Sequence, residues 1–254
     1  MSRFIYMLSE GVHDVAFLTR VLKHIHGATR IERKSELDEP RRLWVEAFKW
    51  PVGETIGRLS VPAPAFVRLA PSDTLIGLRN AGGITNLKDT LENDLEMLYK
   101  HKALPDTIGV FLDSDKEPQG ARYQSLCSEL RSISPAFGPL QLAEELARIG
   151  AGNPRVGIFA FPRPGKEYVE TWKARVESDG HKDWKELKGE SGIKKATFAA
   201  ATAILKPGRA ASTTIEDNRW IGDATRDHEA LAPCLAFLNE LLASPEEAMD
   251  LATA

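Results

Sequence analysis

Ile108-Gly109-Val110-Phe111-Leu112 is apolar at every position, and this run constrains the fold more than any other stretch of the chain. A half-buried strand alternates polar and apolar residues. A short run without alternation reads instead as a strand covered on both faces, as in the parallel sheets of α/β proteins. The run ends abruptly in Asp113-Ser114-Asp115. Successive strand side chains point to opposite faces, so Asp113 and Asp115 share a face and Ser114 points away. Two ionised carboxylates about 5 Å apart repel by about 3 kcal/mol at an effective dielectric of about 20. Protonation of one acid or a bound cation relieves that cost, and oxygen-only ligands select Mg²⁺ or Mn²⁺ over zinc. An Asp-x-Asp also closes turns and caps helices, so the pair needs context from the rest of the chain.

Three further runs predict strands of the same kind: Phe4 to Leu8, Leu75 to Leu78 and Val156 to Phe161. Between them lie stretches with helical periodicity. Leu18, Val21, Leu22 and Ile25 fall on one face of a helix reaching about His26, and Leu87, Leu91, Leu95 and Leu98 form the stripe of a helix from about Thr85 to Tyr99. Further helices are predicted from Gln119 to Arg131, Leu140 to Ile149 and Leu231 to Leu242. Strand and helix in alternation predict an α/β fold with a mainly parallel, four-stranded central sheet flanked by helices. In such sheets ligands bind beyond the C-terminal strand ends, where Glu10 follows the first strand and the aspartates follow the third. Asp14, in the first turn of the first helix, complements the helix dipole whatever the function, and Gly11 permits a close turn.

Composition bounds the function classes. With 43% hydrophobic and 27% charged residues the chain has the make-up of a soluble globular protein. Its 33 basic and 36 acidic residues give a net charge of -3, which excludes attachment to nucleic acid by bulk charge while allowing a local basic patch. Cys127 and Cys234 lie in apolar helical contexts and read as reduced core residues of a cytoplasmic protein. No stretch approaches the roughly 20 apolar residues of a membrane span.

Ser9-Glu10-Gly11-Val12-His13-Asp14, a Glu-Gly-x-x-Asp opening an apolar helix, resembles the first motif of the Toprim domain. Leu112-Asp113-Ser114-Asp115 resembles its second motif, and Gly82-Gly83 resembles the glycine turn between the two. Toprim is shared by topoisomerases, bacterial primases, recombination proteins and the nucleases of the overcoming-lysogenisation-defect group. The resemblance implies a Rossmann-like core over residues 1–175, with residues 27–73 an insertion after the first helix and 176–254 a helical extension packed on the core. In stand-alone Toprim-like proteins a Leu-Glu pair after a later strand supplies another carboxylate. Val169-Glu170 takes that place here, making Glu170 the candidate with Glu167 as its alternative, and Lys194 matches a lysine that opens a later helix.

The resemblance thus implies one or two Mg²⁺ or Mn²⁺ ions held by Glu10, Asp14, Asp113, Asp115 and Glu170. Glu10 would double as general acid or base, and Lys194 would face the transferring phosphoryl group. Gly11, Gly82 and Gly83 are candidates to bring backbone N–H groups to a phosphate. Arg41 and Arg42, interleaved with Trp44, Phe48, Lys49, Trp50 and Arg58, are candidates for nucleic-acid contact, the bland alternative being that the aromatics pin the insertion to the core. Without a topoisomerase tyrosine arrangement or a primase zinc cluster, the expected reaction is Mg²⁺-dependent phosphodiester hydrolysis of DNA or RNA. The other expectation is a non-catalytic, or partner-dependent, nucleotide- or nucleic-acid-binding regulator; lacking a phosphate-binding Gly-x-x-x-x-Gly-Lys loop, the chain would take an ATPase from a partner. Action on a small phosphate ester would use the same acids.

Overall fold

In the computed structural model each of the four apolar runs forms a strand. The structure describes residues 3–49, 53–56, 63–70, 72–113, 118–133, 138–161 and 232–244. Strand β1 (Phe4–Ser9) leads into helix α1 (Val12–Ile25), and β2 (Thr29–Ile31), α2 (Glu39–Glu46) and β3 (Ala65–Leu69) follow. Then come β4 (Thr74–Asn80), α3 (Leu87–Lys100), β5 (Thr107–Asp113) and α4 (Gln119–Arg131). The two-residue β6 (Gln141–Leu142), β7 (Arg155–Phe161) and helix α5 (Ala232–Leu242) complete the described strands and α-helices.

Among the described residues the sheet has seven strands in the order β2-β3-β4-β1-β5-β7-β6, the four predicted for its centre and three more. Its centre, β4-β1-β5-β7, is parallel throughout, so the expected strands all form. The additional strands lie at the edges. β2 and β3 come from residues 27–73 and pair antiparallel onto β4, which makes that stretch part of the sheet, and β6 runs beside β7. From β1 the chain passes to β4 on one side, then crosses to β5 on the other. The direction of winding therefore reverses between β1 and β5, the place where an open α/β sheet leaves a crevice at its C-terminal edge.

Alternation in β1 divides the core into two faces. Ile5 and Met7 pack with α1 and α5, while Phe4, Tyr6 and Leu8 pack with α2, α3 and α4. On the first face Gly109 leaves room for α5, since a Cβ there would stand 2.8 Å from the Leu241 side chain. On the second, a Cβ at Gly77 would meet Trp44 at 3.0 Å, Phe4 at 3.2 Å and Phe66 at 3.3 Å, so this glycine makes room for the fully buried Trp44 against the sheet. Helix α5 is fixed at its C-terminal carbonyls by two arginines: Arg3 donates to Leu241 and Leu242, and Arg155 to Glu240 and Ala243. Carbonyls left over at a helix end attract cationic donors of this kind.

The helix predicted over residues 140–149 does not form. Its place is taken by β6 and an irregular segment whose N–H groups serve the edge of β7: Ala147 donates to Ile158, and Gly150 to Val156. Ala147 has φ 60°, which no helix tolerates. Covering the edge of β7 outweighs the local helical pattern. Among the described residues no helix is long and apolar enough to cross a membrane.

Candidate functional site

At the C-terminal edge of β1 the backbone of Glu10 is held on both sides. Its N–H donates to the Phe111 carbonyl of β5 at 3.1 Å, and its own carbonyl accepts from Gly83, beyond β4, at 2.8 Å. The carboxylate then reaches across to β5, where its Oε2 accepts the backbone N–H of Asp113 at 3.3 Å. Asp113 is 3% exposed and lies on the α1 face, two residues after Phe111. Two acids 103 residues apart in sequence thus meet at the reversal point of the sheet.

Asp14, also 3% exposed, turns back on its own helix. Its Oδ2 accepts the Gly11 N–H at 2.9 Å, while its own N–H donates to the Gly11 carbonyl at 3.2 Å. An acid at the third helical position that reaches back to the cap residue is half of a capping box, so the dipole-complementing reading describes Asp14 as the structure has it. Gly11 itself is extended, with φ -143°, a conformation open to any residue, so no unusual backbone demands glycine there. Gly82 and Gly83 differ, since φ of 74° and 131° favours glycine at both. Their turn lies against Glu10. Because the Gly83 N–H is spent on the Glu10 carbonyl, its role seen here is to hold that residue, in place of the phosphate contact expected of it.

Arg41 and Arg42 are not gathered with these groups. Arg41 pairs with Asp38 at 2.6 Å and lies 4.6 Å over the ring of Phe4, at the opposite end of β1, about 20 Å from Glu10 at the ordinary rise of a strand. Arg42, in the same turn of α2, stands 4.0 Å from Glu46. Trp44 is fully buried among Phe4, Tyr6 and Phe66, so it has no face to offer a nucleic-acid base, and the pinning alternative holds for it. Ser114, Asp115, Glu167, Glu170 and Lys194, with Trp50 and Arg58, lie outside the described residues.

Beside this edge lies a buried polar cluster that the sequence reading missed. Asp94 of α3, 3% exposed, accepts from Tyr6 Oη at 2.7 Å, Arg79 Nε at 3.2 Å and Trp44 Nε1 at 3.3 Å. Burial pushes its carboxyl above the ordinary range, opposed first by the Arg79 charge and then by these hydrogen bonds. Burial, with the Asp94 charge and hydrogen bond behind it, also pushes the Tyr6 phenol well up. Arg79 stands 4.5 Å over the Phe48 ring. One signal was available: Asp94 falls on the apolar stripe of α3, beside Leu91, Leu95 and Leu98, where an unpartnered acid would be costly.

The donor chemistry at the β1–β5 edge suits a hard cation, since Glu10, Asp113 and the nearby Asp14 offer oxygen alone. Among the described residues, however, no three His, Cys, Asp or Glu side chains come together as a metal-holding group.

Comparison with known proteins adds a fold relative and a family. The crystal structure of hypothetical protein PH0156 from Pyrococcus horikoshii OT3 is similar with a TM-score of 0.54, covering 99% of this chain and 98% of that one at 14% identity. At that identity the likeness speaks for the fold alone. None of the curated proteins matches. The family model described as "Protein of unknown function (DUF3226)" matches residues 6–172, a span that begins in β1, runs past β7 and contains Glu10, Asp14 and Asp113. Since it covers well over half of the chain, the protein belongs to the DUF3226 family.

Proposed function

We propose that this chain is a Toprim-like, Mg²⁺- or Mn²⁺-dependent nuclease whose acids gather at the β1–β5 edge. The observation that carries the reading is the Glu10 carboxylate lying on the Asp113 peptide, at the crevice where an open α/β sheet binds its ligands. Glu10 and Asp113 would hold the ion, joined by Asp115 and Glu170 as the further carboxylates the Toprim resemblance implies. When bound, the ion supplies neutralising charge to a phosphodiester and lowers the pKa of an attacking water. The chain's part is preorganisation. Glu10 is fixed through its N–H, its carbonyl and its carboxylate, so its oxygens need little rearrangement when a substrate arrives. Asp14 holds the Gly11 turn that follows.

The test is cleavage of DNA and RNA by the purified full chain in Mg²⁺ and in Mn²⁺. Glu10→Gln and Asp113→Asn should each lower the rate by about 100-fold or more, the scale of a lost acid–base or charge-stabilising group. Cleavage that persists in EDTA, or is undiminished in both variants, would falsify the reading.

A second reading is a non-catalytic or partner-dependent binder of nucleotides or nucleic acid, and α2 favours its nucleotide form: Arg41 pairs with Asp38 and Trp44 is buried, so neither offers a stacking surface to a nucleic-acid strand. Calorimetry with Mg²⁺ and a panel of nucleotides separates the two, because metal-dependent binding without cleavage selects the regulator.

A further inference from the structure

The cluster centred on Asp94 ends at the backbone that carries Glu10. Arg79 is the last residue but one of β4. Its Nε is held by Asp94 and its guanidinium is covered by Phe48, while its Nη1 donates to the carbonyl of Asn80 at 3.3 Å. From Asn80 the chain turns directly into the contacts that fix the end of β1: Ala81 donates to Ser9 and Gly83 to Glu10, each at 2.8 Å. Ser9 Oγ also donates to the Arg79 carbonyl at 3.3 Å. Asp94 of α3, the ring of Phe48 just beyond α2 and the Asn80 carbonyl of β4 therefore meet on one guanidinium, and that guanidinium sits one residue before the rail on which Glu10 rests.

We infer that Arg79, gripped by Asp94, is a positioning residue that sets where the end of β1 presents the Glu10 carboxylate. Burial alone does not ask for this arrangement. Leucines at positions 79 and 94 together would fill this space without charges to accommodate, and replacing a buried ion pair by apolar residues is often neutral or stabilising. What a leucine could not do is join the Asn80 carbonyl to α3 through a planar, multiply bonded group. Supporting groups of this kind fix the ligands they stand behind, and their loss typically weakens metal binding about 10- to 100-fold.

The experiment compares the full-length protein with Arg79→Lys and Phe48→Leu. The first variant removes the fork geometry, and the second keeps the ion pair while loosening its cover. Residue-resolved amide hydrogen exchange is read at Ala81 and Gly83, with Val110 in the centre of β5 as the measure of global stability. The expected result is faster exchange at Ala81 and Gly83 relative to Val110 in Arg79→Lys, and a smaller change in the same direction in Phe48→Leu. Should Arg79→Lys fail to fold, Phe48→Leu decides alone. Exchange that rises in proportion at all three amides, or not at all, overturns the inference. Titration with Mn²⁺ then reads the site itself, an arm that rests on the proposed metal reading. Weakening by about tenfold in Arg79→Lys is expected, and unchanged affinity in a variant whose strand end has loosened counts against positioning. Absence of Mn²⁺ binding in the unaltered protein sinks the metal reading, while the exchange comparison still decides the role of Arg79.

Discussion

Gly77 shows how one missing atom directs the packing of a whole layer. The indole of Trp44 packs against it beside Phe4 and Phe66, and from that seat Trp44 Nε1 donates to Asp94 at 3.3 Å. A methyl group at position 77 would have to displace rigid rings, since all three neighbours within reach are aromatic side chains. Gly77→Ala should therefore cost about 1–3 kcal/mol, the usual penalty for overpacking a close-fitted core. Urea unfolding checks this, and stability equal to that of the unaltered protein would mean that the layer gives way more easily than its rings suggest. Glu10 and Asp113 were readable as neighbours at this scale because each closes an apolar strand run at the edge where an open α/β sheet leaves its crevice. Arg79 and Asp94 were not readable, because each lies inside a pattern that fits an ordinary strand end or helix, and only the fold puts them 3.2 Å apart.

Among the elements, the strands buried on both faces were the legible part. Their apolar runs have no competing solution, and the structure extends each by only one to three residues. The edges were illegible for the converse reason: β2 and β6 are three and two residues long, too short to carry a period, and exist because β3 and β7 would otherwise expose open ladders. Helix α5 was legible from its apolar face, with Cys234, Phe237, Leu238 and Leu241 buried, but its attachment was not. Arg155 is held near its C-terminal end by bonds to two carbonyls, a long-range contact with no local signature. This gives a measurable consequence through the two free cysteines. Cys234 is 1% exposed within α5, and burial raises its thiol; Cys127, also 1% exposed and raised first by burial, sits in α4 as an internal reference. Neither should react with a disulfide reagent until the protein opens. Arg155→Ala should speed the reaction of Cys234 by about tenfold while leaving Cys127 near its original rate, as expected for the loss of charge-assisted hydrogen bonds at one helix end. Equal acceleration at both thiols would show that α5 opens only with the whole molecule.

At the scale of the molecule the Asp94 cluster ties β1, β4, α2 and α3 into one unit, and its titration belongs to global stability. Tyr6 donates its hydroxyl to Asp94 from the middle of the central strand, and burial pushes the phenol well above the ordinary 10.0. In the unfolded chain Tyr6 loses its proton near that ordinary value, whereas the folded chain keeps it to a higher pH. Between the two values the folded state binds more protons than the unfolded one, so stability falls as pH rises. The contribution is complete below the unfolded value and is lost on the alkaline side, the reverse of a salt-bridged carboxylate. Tyr6→Phe keeps the ring and removes both the proton and its bond to Asp94. It should be less stable than the unaltered protein at neutral pH by about 1–3 kcal/mol, having left a buried carboxylate short of one donor. As the pH is raised from about 9 to about 11, the difference should narrow, because only the chain with the tyrosine has a phenol to lose on unfolding. Chemical denaturation of the two proteins across that range measures the difference directly. A gap that stays constant would mean that the phenol titrates alike in both states, and therefore that the hydroxyl of the central strand is open to water.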